Sequence, residues 1–195
     1  MRCLFALLAS ALLAGCGGSS TKPEAMSAQG HEQAARRDER SADTERRVGG
    51  VQVGDRAIPS IAAADGYEAH ARAHHEAALA LTEAEQTACA GVDDEHRATC
   101  PFRALRFSEA RATARGYEAR YSVEDASALE AHLRCHHAFG ARMGREGMPG
   151  CPLYQKGLSI AVTPVDGGAL VRLESDSPEV RAELGHIYGI TPEAR

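Results

Sequence analysis

The sequence predicts an α+β domain made of two helix–hairpin units in tandem, with an antiparallel four-stranded sheet, helices on one face of it, and a final C-terminal helix. Three observations carry this. The pattern His-x-Arg-x-His-His occurs twice, at His70–His75 and at His132–His137. Each copy is followed by a Cys-Pro-apolar triplet, Cys100-Pro101-Phe102 and Cys151-Pro152-Leu153. After each triplet, two strand-like runs flank a turn and lead into a helix start. The order is therefore helix, Cys-Pro, hairpin, helix, Cys-Pro, hairpin, helix.

Each element follows from local pattern. From Gly66 to Cys89, Tyr67, Ala71, His74, Ala78 and Leu81 recur at steps of three and four, which places them on one helical face, and Gly91 supplies the stop. The segment Phe102 to Tyr121 reads as a hairpin, although Ala110 to Ala114 has weak strand propensity. Ser122 with Asp125 three residues on makes a capping-box-like start for the next helix, where Ala126, Leu129, Leu133, His136 and Gly140 form one stripe. Leu158–Val162 and Ala169–Leu173 alternate apolar and polar around Asp166-Gly167-Gly168, a second hairpin. The last helix starts at Asp176-Ser177-Pro178-Glu179, with Pro178 in a first-turn position where its missing N–H costs little.

The amino terminus carries a different signal. Met1-Arg2 precedes an apolar run from Cys3 to Leu13 that is too short to span a bilayer and ends in small residues, the pattern of a secretory signal. Leu13-Ala14-Gly15-Cys16 resembles the lipobox of bacterial lipoproteins. That resemblance implies removal of residues 1–15, diacylglycerol on the Cys16 thiol, and acylation of the new amino terminus. Several acyl chains on one residue anchor stably where a single chain would be marginal, at about 0.8 kcal/mol per buried methylene. Gly17 follows the cysteine, with no Asp to resemble an inner-membrane retention signal, so the expected location is the outer membrane, facing the periplasm. Together with the Cys-Pro triplets, the His-rich first helix and the Ser175–Val180 helix start, the chain resembles uncharacterised lipoproteins of Gram-negative bacteria, a likeness that implies no activity.

Residues 16–57 read as the lipidated cysteine and a disordered tether. Gly17-Gly18-Ser19-Ser20-Thr21 opens it, Pro23 interrupts it, and Gln29 through Arg47 is polar with cancelling charge and no sustained apolar stripe. A flexible chain of that kind reaches about 30–35 Å. Residues 58–195 form the folded periplasmic domain.

Six cysteines reduce to four once Cys3 leaves and Cys16 carries lipid. In an oxidising compartment Cys89, Cys100, Cys135 and Cys151 are expected to pair. Of three connectivities, closeness in sequence and the repeat both favour Cys89–Cys100 with Cys135–Cys151. A thiolate metal site competes, but no C-x-x-C occurs, which removes the ordinary zinc-ribbon and thioredoxin spacings. The chemical hint lies in the 9 histidines. His70 and His74 are four apart on a helix, as are His132 and His136, which stacks two imidazoles on one face in each case. Brought together, the pairs would offer four nitrogen ligands to Zn²⁺ or Cu²⁺, and Met143 and Met148 could add thioethers for Cu⁺. The plainer account makes them half-exposed, hydrogen-bonded imidazoles beside alanines.

Composition excludes several classes. With 195 residues, a net charge of −5, no Trp, 4 Phe and 5 Tyr, the chain lacks the basic surface and stacking platforms that nucleic acid needs. H-E-x-x-H, G-x-S-x-G and phosphate-binding glycine loops are missing, and the acidic cluster Glu83, Glu85, Asp93, Asp94, Glu95 reads as a solvated face. The expectation is a non-enzymatic, cofactor-free envelope lipoprotein that interacts with or scaffolds a protein partner. The alternative is a periplasmic Zn or Cu binder using His70, His74, His132 and His136.

Overall fold

A computed structural model describes residues 26–49, 58–144 and 150–190. The leader, the lipobox with Cys16, and Met148 lie outside them. In order the elements are α1 (Ala28–Gly49), α2 (Ile58–Ala88), α3 (Asp94–Ala98), a 3₁₀ turn (Pro101–Arg103), β1 (Phe107–Ala112), β2 (Gly116–Tyr121), α4 (Ala126–Met143), a second 3₁₀ turn (Pro152–Tyr154), β3 (Ser159–Val165), β4 (Gly168–Glu174) and α5 (Pro178–Tyr188). The class is α+β, with one antiparallel sheet in the order β1-β2-β4-β3. No described helix is long and apolar enough to cross a membrane.

That strand order is the one a two-fold axis between β2 and β4 generates from two copies of a hairpin. The central pair runs from Gly116 opposite Glu174 to Tyr121 opposite Ala169. Two glycines mark the equivalence. A Cβ on Gly116, the first residue of β2, would lie 2.0 Å from the Leu173 carbonyl oxygen, and one on Gly168, the first residue of β4, would lie 2.0 Å from that of Tyr121. Only a residue without Cβ lets the two strands meet there.

One face of the sheet is the core. Tyr117, Ala119 and Tyr121 of β2 and Ala169, Val171 and Leu173 of β4 pack with Leu129 and Leu133 of α4 and with Leu184 and Tyr188 of α5. By strand alternation the other face carries Glu118, whose carboxylate accepts from both Arg111 and Arg172. Helix α4 buries the stripe expected of it: Leu129, Leu133, His136 and Gly140. Its N-cap is Asp125, which accepts from Ser127 and Ala128 N–H, one turn later than the Ser122 start. Ser177 caps α5 by accepting from Val180 N–H, with Pro178 in the first turn.

Two features depart from the sequence reading. Residues 28–49, expected as tether, are helical and lie antiparallel along α2. The seam is built from alanine: Ala35 and Ala42 face Ala64, Ala71 and Ala78, each at most 4% exposed. In both helices these positions recur every seven residues, the period of a coiled-coil seam. Methyl groups let the backbones approach closely, and the stripe they form in α1 is set in a segment that is strongly polar on average. Ion pairs flank the seam, Arg46 with Glu68 and His75 with Glu32 and Glu39.

The second departure is the cysteine pairing. The disulfide joins Cys89 to Cys135, with an S–S distance of 2.06 Å, and ties the end of α2 to the middle of α4. Neither Cys89–Cys100 nor Cys135–Cys151 forms. The short helix α3, capped by Asp93, turns the chain between Cys89 and Cys100 and sends the two side chains to different neighbours. An ion pair between Glu85 and Arg142 backs the same helix contact.

Candidate metal centre

Each Cys-Pro triplet makes the same local structure. Proline fixes φ and has no N–H to satisfy, so it starts a 3₁₀ turn with the preceding cysteine at the N-cap position. The two turns meet in the core, where Cys100 is 3% and Cys151 4% exposed. Their sulfurs are 2.8 Å apart and not bonded.

His136 of α4 completes the group. Its ring is fully buried between Tyr154, with centroids 5.0 Å apart, and Phe139, at 6.3 Å. Nδ1–H donates to the Arg97 carbonyl at 2.7 Å, which fixes the tautomer and leaves the lone pair on Nε2. Nε2 is buried and makes no hydrogen bond. A ring nitrogen of His136 and the sulfurs of Cys100 and Cys151 all lie within 4.8 Å of one another, and this is the one such ligand cluster among the described residues.

The electrostatics fit a ligand site. The two thiols hydrogen-bond each other, and that contact, against the effect of burial, holds Cys100 well below the ordinary thiol range. Cys151 is driven upward by the same pairing and by burial. The pair therefore shares one proton. Around it, burial pushes the phenols of Tyr154 and Tyr188 up to about 12, so they stay neutral. Two soft sulfurs and one oriented imidazole in a dry pocket can hold Zn²⁺ or Cu⁺, and the Arg97 carbonyl supplies the outer contact that ligating histidines use.

The four-histidine centre is not assembled. His70 is exposed, and His74 contacts His31 across the α1–α2 seam, Nδ1 to Nδ1 at 2.9 Å. His132 donates from Nε2 to the carbonyls of His96 at 2.8 Å and Thr99 at 3.1 Å. His74 thus serves α1, while His132 and His136 hold the α3 segment against α4. Met143 is 50% exposed. Of the four histidines only His136 reaches a ligand group, and its companions are Cys100 and Cys151, which the sequence leads one to expect in bridges. The repeat contained the missing signal: Cys100 and Cys151 are equivalent residues, and equivalent residues near a two-fold axis meet each other.

No protein-family model, curated protein or solved structure matched the chain.

Proposed function

We propose that this chain is a lipid-anchored protein of the bacterial envelope whose domain binds, without catalysing a reaction, one soft transition-metal ion through Cys100, Cys151 and Nε2 of His136. One observation carries the reading: a fully buried imidazole has its Nδ1 proton committed to a backbone carbonyl and its other nitrogen unsatisfied beside two thiols. Leaving a buried polar atom unpaired costs about 1–3 kcal/mol, a cost that ligation of an ion at Nε2 removes. Metal–sulfur bonds near 2.3 Å in a tetrahedral site require the sulfurs to stand about 3.8 Å apart. From 2.8 Å, that asks for an ångström of separation between the two turns. Residues 1–15 and Cys16 support the envelope location through the lipobox they resemble.

The test is metal analysis of the full lipidated chain, purified in detergent under reducing, oxygen-free conditions and offered Zn²⁺ or Cu⁺. One ion per chain is expected, lost in Cys100→Ser and Cys151→Ser, weakened at least about tenfold in His136→Gln, and retained in the double variant His70→Ala, His74→Ala. A reduced wild type that takes up neither ion overturns the reading.

A second reading, an envelope interaction module, draws on Ile61 and Leu79, each 60% exposed on α2. A photo-crosslinker placed at either position of the lipidated chain should trap one common protein that is not trapped from Glu174. Absence of a common adduct removes it.

A further inference from the structure

The site has two closed forms within reach. The sulfurs of Cys100 and Cys151 stand 2.8 Å apart, between the roughly 2.05 Å of a disulfide and the roughly 3.8 Å across a tetrahedral ion. Resting on the metal-binding reading above, we propose that Cys100 and Cys151 are also a reversible disulfide pair, so that oxidation by a small hydroperoxide closes the bond and expels the ion.

Burial decides which oxidant fits. At 3% and 4% exposure neither sulfur is open to a protein-sized partner, whereas hydrogen peroxide is little larger than water. Both sulfurs are thiolates when they hold the ion, so either can open the reaction, Cys100 for instance. Its thiolate attacks one peroxide oxygen, the O–O bond breaks, and hydroxide leaves, giving a sulfenic acid on Cys100. The Cys151 sulfur then attacks the Cys100 sulfur. The S–O bond breaks and a second hydroxide leaves, because Cys151 carries no proton in the loaded site, and solvent protons convert both hydroxides to water. Two electrons pass from the sulfurs to the peroxide, and the ion departs with its charge unchanged. Neither disulfide sulfur keeps the anionic lone pair that a soft ion needs. A dithiol reductant reverses the step.

The scaffold permits this because its own cross-link lies elsewhere. Cys89–Cys135 ties α2 to α4 whatever the state of the second pair. His136 sits on α4 one residue from Cys135, so the imidazole stays in place while the sulfurs exchange partners.

The experiment uses the full lipidated chain in detergent, reduced and loaded with Zn²⁺, then treated with hydrogen peroxide. Released zinc is read with a chromogenic chelator, and peptides are mapped without reduction. The expected result is a Cys100–Cys151 linked peptide appearing in step with zinc release, both reversed by a dithiol. In His136→Gln, without metal, the linked peptide should still form. If the linked peptide forms while zinc stays bound, or zinc stays bound and no link forms, the gate is wrong and the metal-binding reading stands. If the reduced chain binds no zinc yet the link forms, the metal-binding reading fails, and the gate fails with it.

Discussion

Between α1 and α2 the seam is made of alanine methyl groups, with histidines and ion pairs along its edges; between the sheet and α4 and α5 it is made of tyrosine, leucine, phenylalanine and sulfur. A buried methyl group contributes about 0.8 kcal/mol and a large side chain about 1.5–3 kcal/mol. The difference implies two levels of cohesion in one molecule. The sheet core is the stable unit, and α1 is a docked helix that can leave without unfolding it.

The largest effect that would sharpen this contrast is expected from the disulfide. Replacing Cys89 by Ser opens a loop of 46 residues, and the chain-entropy model puts the loss at roughly 4 kcal/mol. A urea midpoint followed by fluorescence of the core tyrosines should fall accordingly. A midpoint unchanged from wild type would mean that α2 is not part of the stable unit.

Next is Gly140→Ala. The new Cβ would stand 2.2 Å from Cδ1 of Tyr154, and forcing a methyl group into a filled core costs about 1–3 kcal/mol. The ring that shields His136 must shift, so metal affinity and stability should both drop. Loss of stability with full affinity would show that Tyr154 does not seal the site.

Ala71→Asp places a carboxylate in the alanine seam, where Ala71 is 4% exposed. Amide exchange of residues 28–49 should speed up about tenfold or more, the mark of a local opening, while the urea midpoint of the sheet holds. Coincident loss of both would break the two-level picture.

The smallest effects are in pH. Burial first, and then the neighbouring His74, hold His31 below its ordinary value of 6.5. The unfolded or detached helix therefore binds the proton more readily, and α1 docking should weaken as pH falls through that value. His75 opposes this, because the hydrogen bonds it donates to Glu39 and Glu32 raise it, so its support for docking is present in acid and is lost as pH rises. Glu118 of the sheet behaves differently. Hydrogen bonds from Arg172 and then Arg111 outweigh burial and hold it below its ordinary 4.5, so its contribution persists until pH falls beneath that value. Exchange measured between pH 7.5 and 4 should show α1 loosening before the sheet.

How much of this could be read from residues alone follows the same divide. Helix α4 was legible because Leu129, Leu133, His136 and Gly140 differ sharply from their polar neighbours, and the β3–β4 hairpin because its residues alternate around a glycine turn. Helix α1 was not, since it is so polar on average that it reads as a solvated chain, although its few apolar residues, Ala35 and Ala42 among them, fall on one face. The five-residue α3 was taken for a solvated acidic cluster, yet Asp93 caps it and its carbonyls receive His132 and His136. Within the site, the four-residue spacing from His132 points to His136 as a ligand, but closeness in sequence matches the cysteines to the wrong partners. Nearness along a chain says little once a short helix reverses its direction.

The two sulfur contacts share one property. Cys89–Cys135 and Cys100 against Cys151 each run from the first helix–hairpin unit to the second, and neither stays within a unit. A protease nick in the exposed stretch around Ser122 and Asp125 would therefore not divide the protein: the fragments would migrate as one covalent particle until a reductant was added.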